Sequence, residues 1–370
     1  MKINFAEIFA VTAPGLEEVC AAEIRNLLGC AVSITRGGVS FSGGLEELYL
    51  ANLWLRTASR VLVRIGKVRA TDFPQLHRKV KHLPWGRFIK TDTPVIVNAV
   101  SRRSRLIHTD RIADTVSAAI GKSLGRATPP PAGDAQTVLV RFEDDNCLLS
   151  VDSSGELLHR RGYRTEVSQA PLRETLAAGI LHLLKWDGQR PLADPMCGSG
   201  TFLIEGALLA GNIPPGLRRT FAFQRWPRYR DGLWQNLVDK AGRDRKEIHI
   251  PLVGCDRDGD VIKMARNNAA RVKQQGIIGF KHAALEEFMP SAKAGLVVCN
   301  PPYGVRLGDE KGLLDLYARM GQTFREHFAG WQGALFCPSD HLVAATGLDF
   351  RVAAQLANGG IEAKLFVCQL

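Results

Sequence analysis

Two fold classes follow one another along this 370-residue sequence: α+β in the first part, then a doubly wound α/β sheet. Three observations predict them. The first seventy or so residues run strand-helix-strand-strand-helix-strand, the order of a split βαβ, ferredoxin-like unit. From Pro171 onward strands alternate with helices, the signature of a Rossmann-like parallel sheet. A glycine turn, CGSG at 197–200, follows the first of those strands and opens a helix.

The elements follow in order. EIFAVT (7–12) alternates as a strand, and Glu7 interrupts the apolar run, so the start does not read as a secretory leader. PGLEEVCAAEIRNL (14–27) is a helix with Pro14 near its start. AVSIT and VSFSG pair around Gly37-Gly38, LEELYLANLWLR (45–56) is helical, and RVLVRIGKV (60–68) closes the set. Next come a basic helix, FPQLHRKVKHL (73–83), and a strand, PVIVNAV (94–100), that runs straight into SRRSR. DRIADTVSAAIGKSL (110–124) is a helix with Asp110 as its cap or first-turn acid. ATPPPAGDA (127–135) is a loop, and TVLVRFEDDNCLLSVDS (137–153) is a hairpin turning near Asp145-Asn146. The chain turns polar after residue 153, which sets a boundary near 155 and predicts domains at 1–65, 66–155 and 156–370. In the last of these, PLRETLAAGILHLLKW (171–186) is an amphipathic helix. The strands are PLADP, IPLVGCD, IIGFKHA, AGLVVCN and GALFCP, and the apolar stripe of GLLDLYARMGQTFREHF (312–328) packs a core.

Lys plus Arg number 48 against 37 Asp plus Glu, a net charge of +11 that points to a polyanionic partner, most often nucleic acid. No apolar stretch reaches the ~18 residues of a membrane span. The eight cysteines are scattered without paired spacing and sit in or beside apolar runs, as structural thiols of a reducing cytoplasm do. The nine histidines show no ligand spacing, so no metal is expected.

Three strand ends carry the chemistry. DPMCGSGT (194–201) places Asp194 before Gly198 and Gly200, whose freedom allows a tight turn and close approach to a ligand. The next strand ends at Asp256, where doubly wound folds hold ribose hydroxyls; the alternative is a helix cap for RDGDVIKMARNNA. CNPPYG (299–304) ends the fourth strand, because Pro301 and Pro302 cannot continue a ladder and instead stiffen the loop that holds Asn300 and Tyr303.

DPMCGSG, GCD and NPPY on successive strands resemble the class I S-adenosylmethionine-dependent methyltransferases that modify exocyclic amino groups of bases. With HRRGYR (159–164) and APLRETLAAGIL (170–181), the chain as a whole resembles the THUMP-domain RNA methyltransferases, nearest the 23S ribosomal RNA guanine-N2 enzymes. The resemblance implies a ferredoxin-like unit, a THUMP domain and a methyltransferase domain. It assigns the cofactor to Asp194, Pro195, Met196, Cys197, Gly198, Gly200, Thr201, Asp256, Arg257 and Asn300, and catalysis to Asn300, Pro301, Pro302 and Tyr303. One departure matters. Where the family has an acidic residue for the cofactor adenine, this chain has Ala284, so backbone groups of Ala284 and Leu285, or the Glu286 side chain, are left to serve.

Three basic stretches are candidates for RNA, from ribosomal RNA or a precursor particle: Lys79 and Lys81 in RKVKH, Arg102, Arg103 and Arg105 in SRRSR, and LRRTFAFQRWPRYR (217–230). The last mixes Phe221, Phe223, Trp226 and Tyr229 with Arg218, Arg219, Arg225 and Arg228, stacking surfaces beside phosphate partners; its alternative is an aromatic cluster packing a helix. Two rival functions share the motifs: a DNA adenine-N6 methyltransferase, and an inactive RNA-binding assembly protein.

Overall fold

The computed structural model describes residues 4–126, 133–164, 172–304 and 310–370. Most of the loop expected at 127–135, and the first residue of the helix expected from Pro171, lie outside the described residues. The chain forms two compact units: Met1–Thr12, Ala21–Leu158 and Arg219–Asp239 in one, Ala13–Cys20, His159–Arg218 and Lys240–Leu370 in the other.

The first unit begins β1 (Asn4–Thr12), α1 (Glu17–Leu28), β2 (Val32–Thr35), β3 (Gly38–Gly44), α2 (Leu45–Trp54) and β4 (Ala58–Arg69). It continues α3 (Phe73–Val80), β5 (Val95–Arg102), α4 (Thr109–Ser123), β6 (Gln136–Glu143) and β7 (Asn146–Asp152). These seven strands make one sheet in the order β2-β3-β1-β4-β7-β6-β5. The expected boundary at 65/66 falls inside β4, whose twelve residues pair with β1 on one side and β7 on the other. The ferredoxin-like strands and those that follow therefore share a single sheet. The β6–β7 turn sits one residue earlier than expected, at Asp144-Asp145, with φ 50° and 60°. Paired positive φ values are what a tight two-residue hairpin needs. Asp110 stands in the first turn of α4, and His108 takes the cap position.

The second unit comprises α5 (Glu174–Leu183), β8 (Leu192–Asp194), α6 (Thr201–Ala210), then, after α7 (Asp231–Arg243), β9 (Leu252–Asp256), α8 (Gly259–Arg271) and β10 (Ile278–His282). It closes with β11 (Leu296–Cys299), α9 (Glu310–His327), β12 (Gln332–Cys337), α10 (Asp340–Ala344), β13 (Arg351–Asn358) and β14 (Ile361–Gln369). The sheet order is β10-β9-β8-β11-β12-β14-β13, parallel through β12 and antiparallel at β14. The order reverses between β8 and β11. The central strands read as continuous apolar runs because helices cover both faces, and every residue of β8 and β11 is buried. The closing hairpin, turned by Gly359-Gly360, lies beyond the last strand expected; the alanines of RVAAQLAN mask its strand character.

Candidate active site

Asp194, Asp256 and Asn300 stand at or just past the carboxyl ends of β8, β9 and β11, at the point where strand order reverses. Open parallel sheets bind their ligands there. The turn after β8 is fastened from β9. The Cys197 N–H donates to Cys255 O (2.8 Å), the Cys255 thiol to Pro195 O (3.2 Å), and the Gly198 N–H to Asp256 Oδ2 (3.0 Å). The two glycines are needed for different reasons. Gly200, at φ 83°, would drive a Cβ to 2.9 Å from Phe280 Cζ and 3.3 Å from Ala265 Cβ, so it closes the packing of the turn. Gly198, at φ 52°, would meet nothing within 4 Å: the space before it is open.

Asp194 is buried and among the described residues accepts one bond, from the Met196 N–H at 3.2 Å. Burial pushes its carboxyl well above the usual range, and the Asp256 charge pushes the same way. Burial likewise raises the thiol of Cys255 to about 12, and those of Cys197 and Cys299 well above the usual thiol range. These three thiols stay protonated and inert at neutral pH. Asp258 caps α8 by accepting from the N–H groups of Asp260 (2.9 Å) and Val261 (3.3 Å). The cap role weighed for Asp256 is therefore not its own. Among the described residues its Oδ1 accepts only from the Asp258 N–H (3.1 Å), and the carboxylate stays at the strand end.

The fourth-strand loop meets the glycine turn. Met196 of the turn and Tyr303 of the loop pack on the same buried cluster, which includes Cys299. Asn300 is half-buried, and its enclosed Oδ1 has no hydrogen-bond donor among the described residues. Pro301 is buried, Pro302 exposed and Tyr303 half-buried, with burial raising its phenol. At the third strand, the Ala284 N–H is already taken by Glu287 Oε2 (3.1 Å), and Glu286 pairs with Arg319 (3.2 Å). Both groups thus have partners within the chain, and the Ala284 carbonyl and the Leu285 backbone are the other groups expected to serve the adenine. Leu285 is buried, and Arg257 is exposed with its carbonyl on His282 Nε2 (3.0 Å).

The sequence reading missed the polar braces of this turn. Arg164 donates to Thr201 Oγ1 at the start of α6 and lies 3.7 Å from Glu174. Arg161 pairs with Glu205 at 3.4 Å, and Tyr163 donates to the same carboxylate at 3.2 Å; the Arg161 and Glu205 side chains are at most 2% exposed. The signal was there: Glu205 is the single charge in TFLIEGALLA, a helix apolar on every side, and a buried acid needs partners.

The basic stretches divide. Trp226 is buried, donates through Nε1 to Gln136 Oε1 (2.8 Å) and meets Phe88 edge-on, while Phe221 and Phe223 stack on each other beside Tyr49 and Trp234. These rings fill the core of the first unit and cannot stack on a base, which overturns the role expected for Trp226. Arg219 donates to Leu157 O (2.8 Å), and Arg225 pairs with Asp134 (3.6 Å). Arg218 and Arg228 are exposed. In SRRSR, Arg103 binds Glu143 (2.7 Å) and Asp144 (3.0 Å), and Arg105 lies 3.8 Å from Asp145, so the stretch clamps the β6–β7 turn and leaves Arg102 exposed. Lys79 is exposed and donates to Arg69 O (2.6 Å), with Lys81 half-buried at the end of α3.

Among the described residues no cluster of ligating side chains suits a metal, and no helix is long and apolar enough to cross a membrane. Family profiles match three consecutive segments: an RlmL ferredoxin-like domain at 7–62, a THUMP domain at 70–152 and an RMKL-like methyltransferase domain at 161–365. A protein of Synechocystis sp. named for RNA methyltransferase activity is 35% identical over 370 residues, covering 98% of this chain and 96% of its own. The ribosomal RNA large subunit methyltransferase K/L of Syntrophotalea carbinolica is 38% identical over 377 residues, covering 97% of this chain and 53% of its own. This chain thus spans about half the length of the K/L relatives it matches. The crystal structure of SMU.472 complexed with SAH has a TM-score of 0.91 at 32% identity, covering 100% of this chain and 99% of its own. A structure from Listeria monocytogenes, named as an N6-adenine-specific DNA methylase, scores 0.89 at 31% identity over 98% of this chain and 96% of its own. With a braced glycine turn, an acid on the next strand and NPPY on the fourth, this chain belongs to the RMKL-like family of S-adenosylmethionine-dependent methyltransferases, preceded by an RlmL-type ferredoxin-like domain and a THUMP domain.

Proposed function

We propose that the chain transfers a methyl group from S-adenosylmethionine to an exocyclic amino group of an RNA base, guanine N2 of 23S ribosomal RNA, in the cytoplasm. The observation that carries this reading is the enclosed, undonated Oδ1 of Asn300 beside a buried Pro301. An acceptor left without a donor costs about 1–3 kcal/mol. Such an atom is kept where a ligand N–H completes it.

The residues present fit the cofactor. The open space before Gly198 admits a ligand against the turn, and Asp194, short of partners, suits a group of positive charge. Asp256, already tied to Gly198, retains acceptor capacity for ribose hydroxyls. Pro195, Met196, Cys197 and Thr201 shape the turn, and Leu285 offers an apolar wall to the adenine. Bound there, the cofactor supplies an electrophilic methyl on a positively charged sulfur.

An exocyclic amine is a poor nucleophile because its lone pair is delocalised into the ring. Asn300 Oδ1 and the Pro301 carbonyl accept its two N–H groups, which draws the lone pair back onto nitrogen. As nitrogen bonds to the methyl carbon the carbon–sulfur bond would break, the neutral thioether would leave, and the extra proton would pass to solvent after attack, so no strong general base is needed. The prolines keep both acceptors aimed, an electrostatic preorganisation. Tyr303, a neutral phenol whose titration burial pushes further up, stacks on the base. A paired base must first be unstacked, at a cost of a few kcal/mol, or lie in a loop.

The THUMP match, the relatives' names and the net charge of +11 support RNA as the partner, naked or in a precursor particle. The test is methyl transfer from labelled S-adenosylmethionine to 23S transcripts, unrelated RNA and duplex DNA, followed by nucleoside analysis. N2-methylguanosine in the ribosomal transcript is the expected product. N6-methyladenine in DNA would assign the site to the other base, and absence of cofactor binding by calorimetry would leave an RNA-binding protein only.

A further inference from the structure

A second pocket in the methyltransferase unit takes no part in this chemistry. α6 leaves the glycine turn and runs ten residues, about 15 Å, toward the opposite edge of the sheet. There Pro214 and Leu217 help floor a pocket of about 60 Å³, and Arg161, Arg218, Arg245 and Lys273 line it with no carboxylate among them. Glu205 holds Arg161, whose side chain is 2% exposed. Arg218, Arg245 and Lys273 are exposed and have no ionic partner among the described residues. Lys273 is carried into the cluster by a left-handed turn at φ 57°, just past the end of α8. With Arg161 balanced by Glu205, three like charges remain, those of Arg218, Arg245 and Lys273, and they repel one another unless an anion sits between them.

The size narrows the ligand. A water needs about 10–15 Å³ of such space, so the pocket admits a group the size of a phosphate. Its separation from the glycine turn puts it beyond the target base, where contacts fall on the backbone and carry no sequence information.

We propose that this pocket seats a phosphodiester of the RNA substrate, an anchor for the strand away from the methylated base. The inference rests on the RNA methyl-transfer reading above. Its test is the full chain carrying R218Q, R245Q and K273Q together, exposed substitutions that keep polar side chains and spare the buried Arg161. RNA binding is followed by anisotropy across a salt series. The log–log slope is expected to flatten by about 1, with affinity at 0.1 M salt falling about ten-fold for all RNA sequences alike. S-adenosylmethionine affinity by calorimetry should move less than about two-fold, since the sites are well separated. A wild-type slope and affinity in the variant, with wild-type protein active on the same RNA, overturns the pocket alone. So does inorganic phosphate bound by wild type, lost in the variant, with RNA binding unchanged: the pocket then serves a free anion. If wild-type protein neither binds RNA nor transfers a methyl group, the parent reading has failed and this one falls with it.

Discussion

Among the described residues Asn300 and Asp194 are both short of partners, and the two shortages predict different behaviour. Asn300 Oδ1 lacks a donor that a substrate amine would bring, so its removal should act on the transition state. Asn300→Ala is expected to slow single-turnover methyl transfer by about 10²–10³-fold, the usual loss for one preorganised hydrogen-bonding group, while binding of the demethylated cofactor product changes less than about three-fold. Equal losses in both would make Asn300 a cofactor ligand instead. Asp194 carries a charge that burial disfavours. Its carboxyl holds a proton to higher pH in the folded chain than in the unfolded one, where it titrates near about 3.9. The folded state therefore binds more protons across that window, and the stability of cofactor-free protein falls as pH rises through it. Asp194→Asn removes this term. The variant should melt a few degrees higher than wild type at pH 8, with a smaller gain at pH 5, and bind S-adenosylmethionine at least about ten-fold more weakly. Melting curves at both pH values and calorimetry decide it; a variant no more stable at pH 8 removes the buried charge from the account.

At the scale of elements, the glycine turn is held by its neighbour strand rather than by its own sequence. Asp256 and Asp258 lie two residues apart at the end of β9, yet one ties Gly198 and the other starts α8. The two substitutions should separate cleanly. Asp258→Ala removes a helix cap and is expected to cost about 1 kcal/mol in urea unfolding with cofactor affinity nearly intact. Asp256→Ala frees the Gly198 amide and should weaken cofactor binding by about ten-fold or more. If the two variants lose affinity alike, the division of labour proposed here is wrong. GSG after an apolar strand was enough to place the turn, because only glycine accepts φ 83° against Phe280. Which aspartate capped the helix was not legible, since that depends on where β9 stops pairing.

At the scale of the molecule, residues 219–239 leave the methyltransferase unit, complete the first unit and return. Phe223 and Trp234 flank Tyr49 of α2, Phe221 stacks on Phe223, and Trp226 satisfies Gln136 of β6. A fragment ending at residue 158 lacks all four rings and exposes the apolar surface they cover. Each large aromatic side chain contributes on the order of 2–3 kcal/mol by burial. The fragment 1–158 is expected to be aggregation-prone with weak near-ultraviolet circular dichroism, and a peptide of residues 219–239 added in trans should restore both solubility and signal. A well-folded fragment without the peptide would show the insertion to be dispensable.

What the sequence determined alone was local or periodic. Alternation and apolar runs gave the strands, GSG the turn, NPPY the rigid exit from β11, and the order of elements both fold classes. Those features depend on neighbours in the chain, and backbone sterics and burial patterns are written there. Tertiary structure alone decided which long-range partner each polar or aromatic group meets. It turned the rings of FAFQRW inward, set Arg103 on an acidic turn, gave the Ala284 amide to Glu287 and left Asn300 Oδ1 without a donor. A side chain's free energy depends on what surrounds it in space, and a one-dimensional pattern does not contain that information.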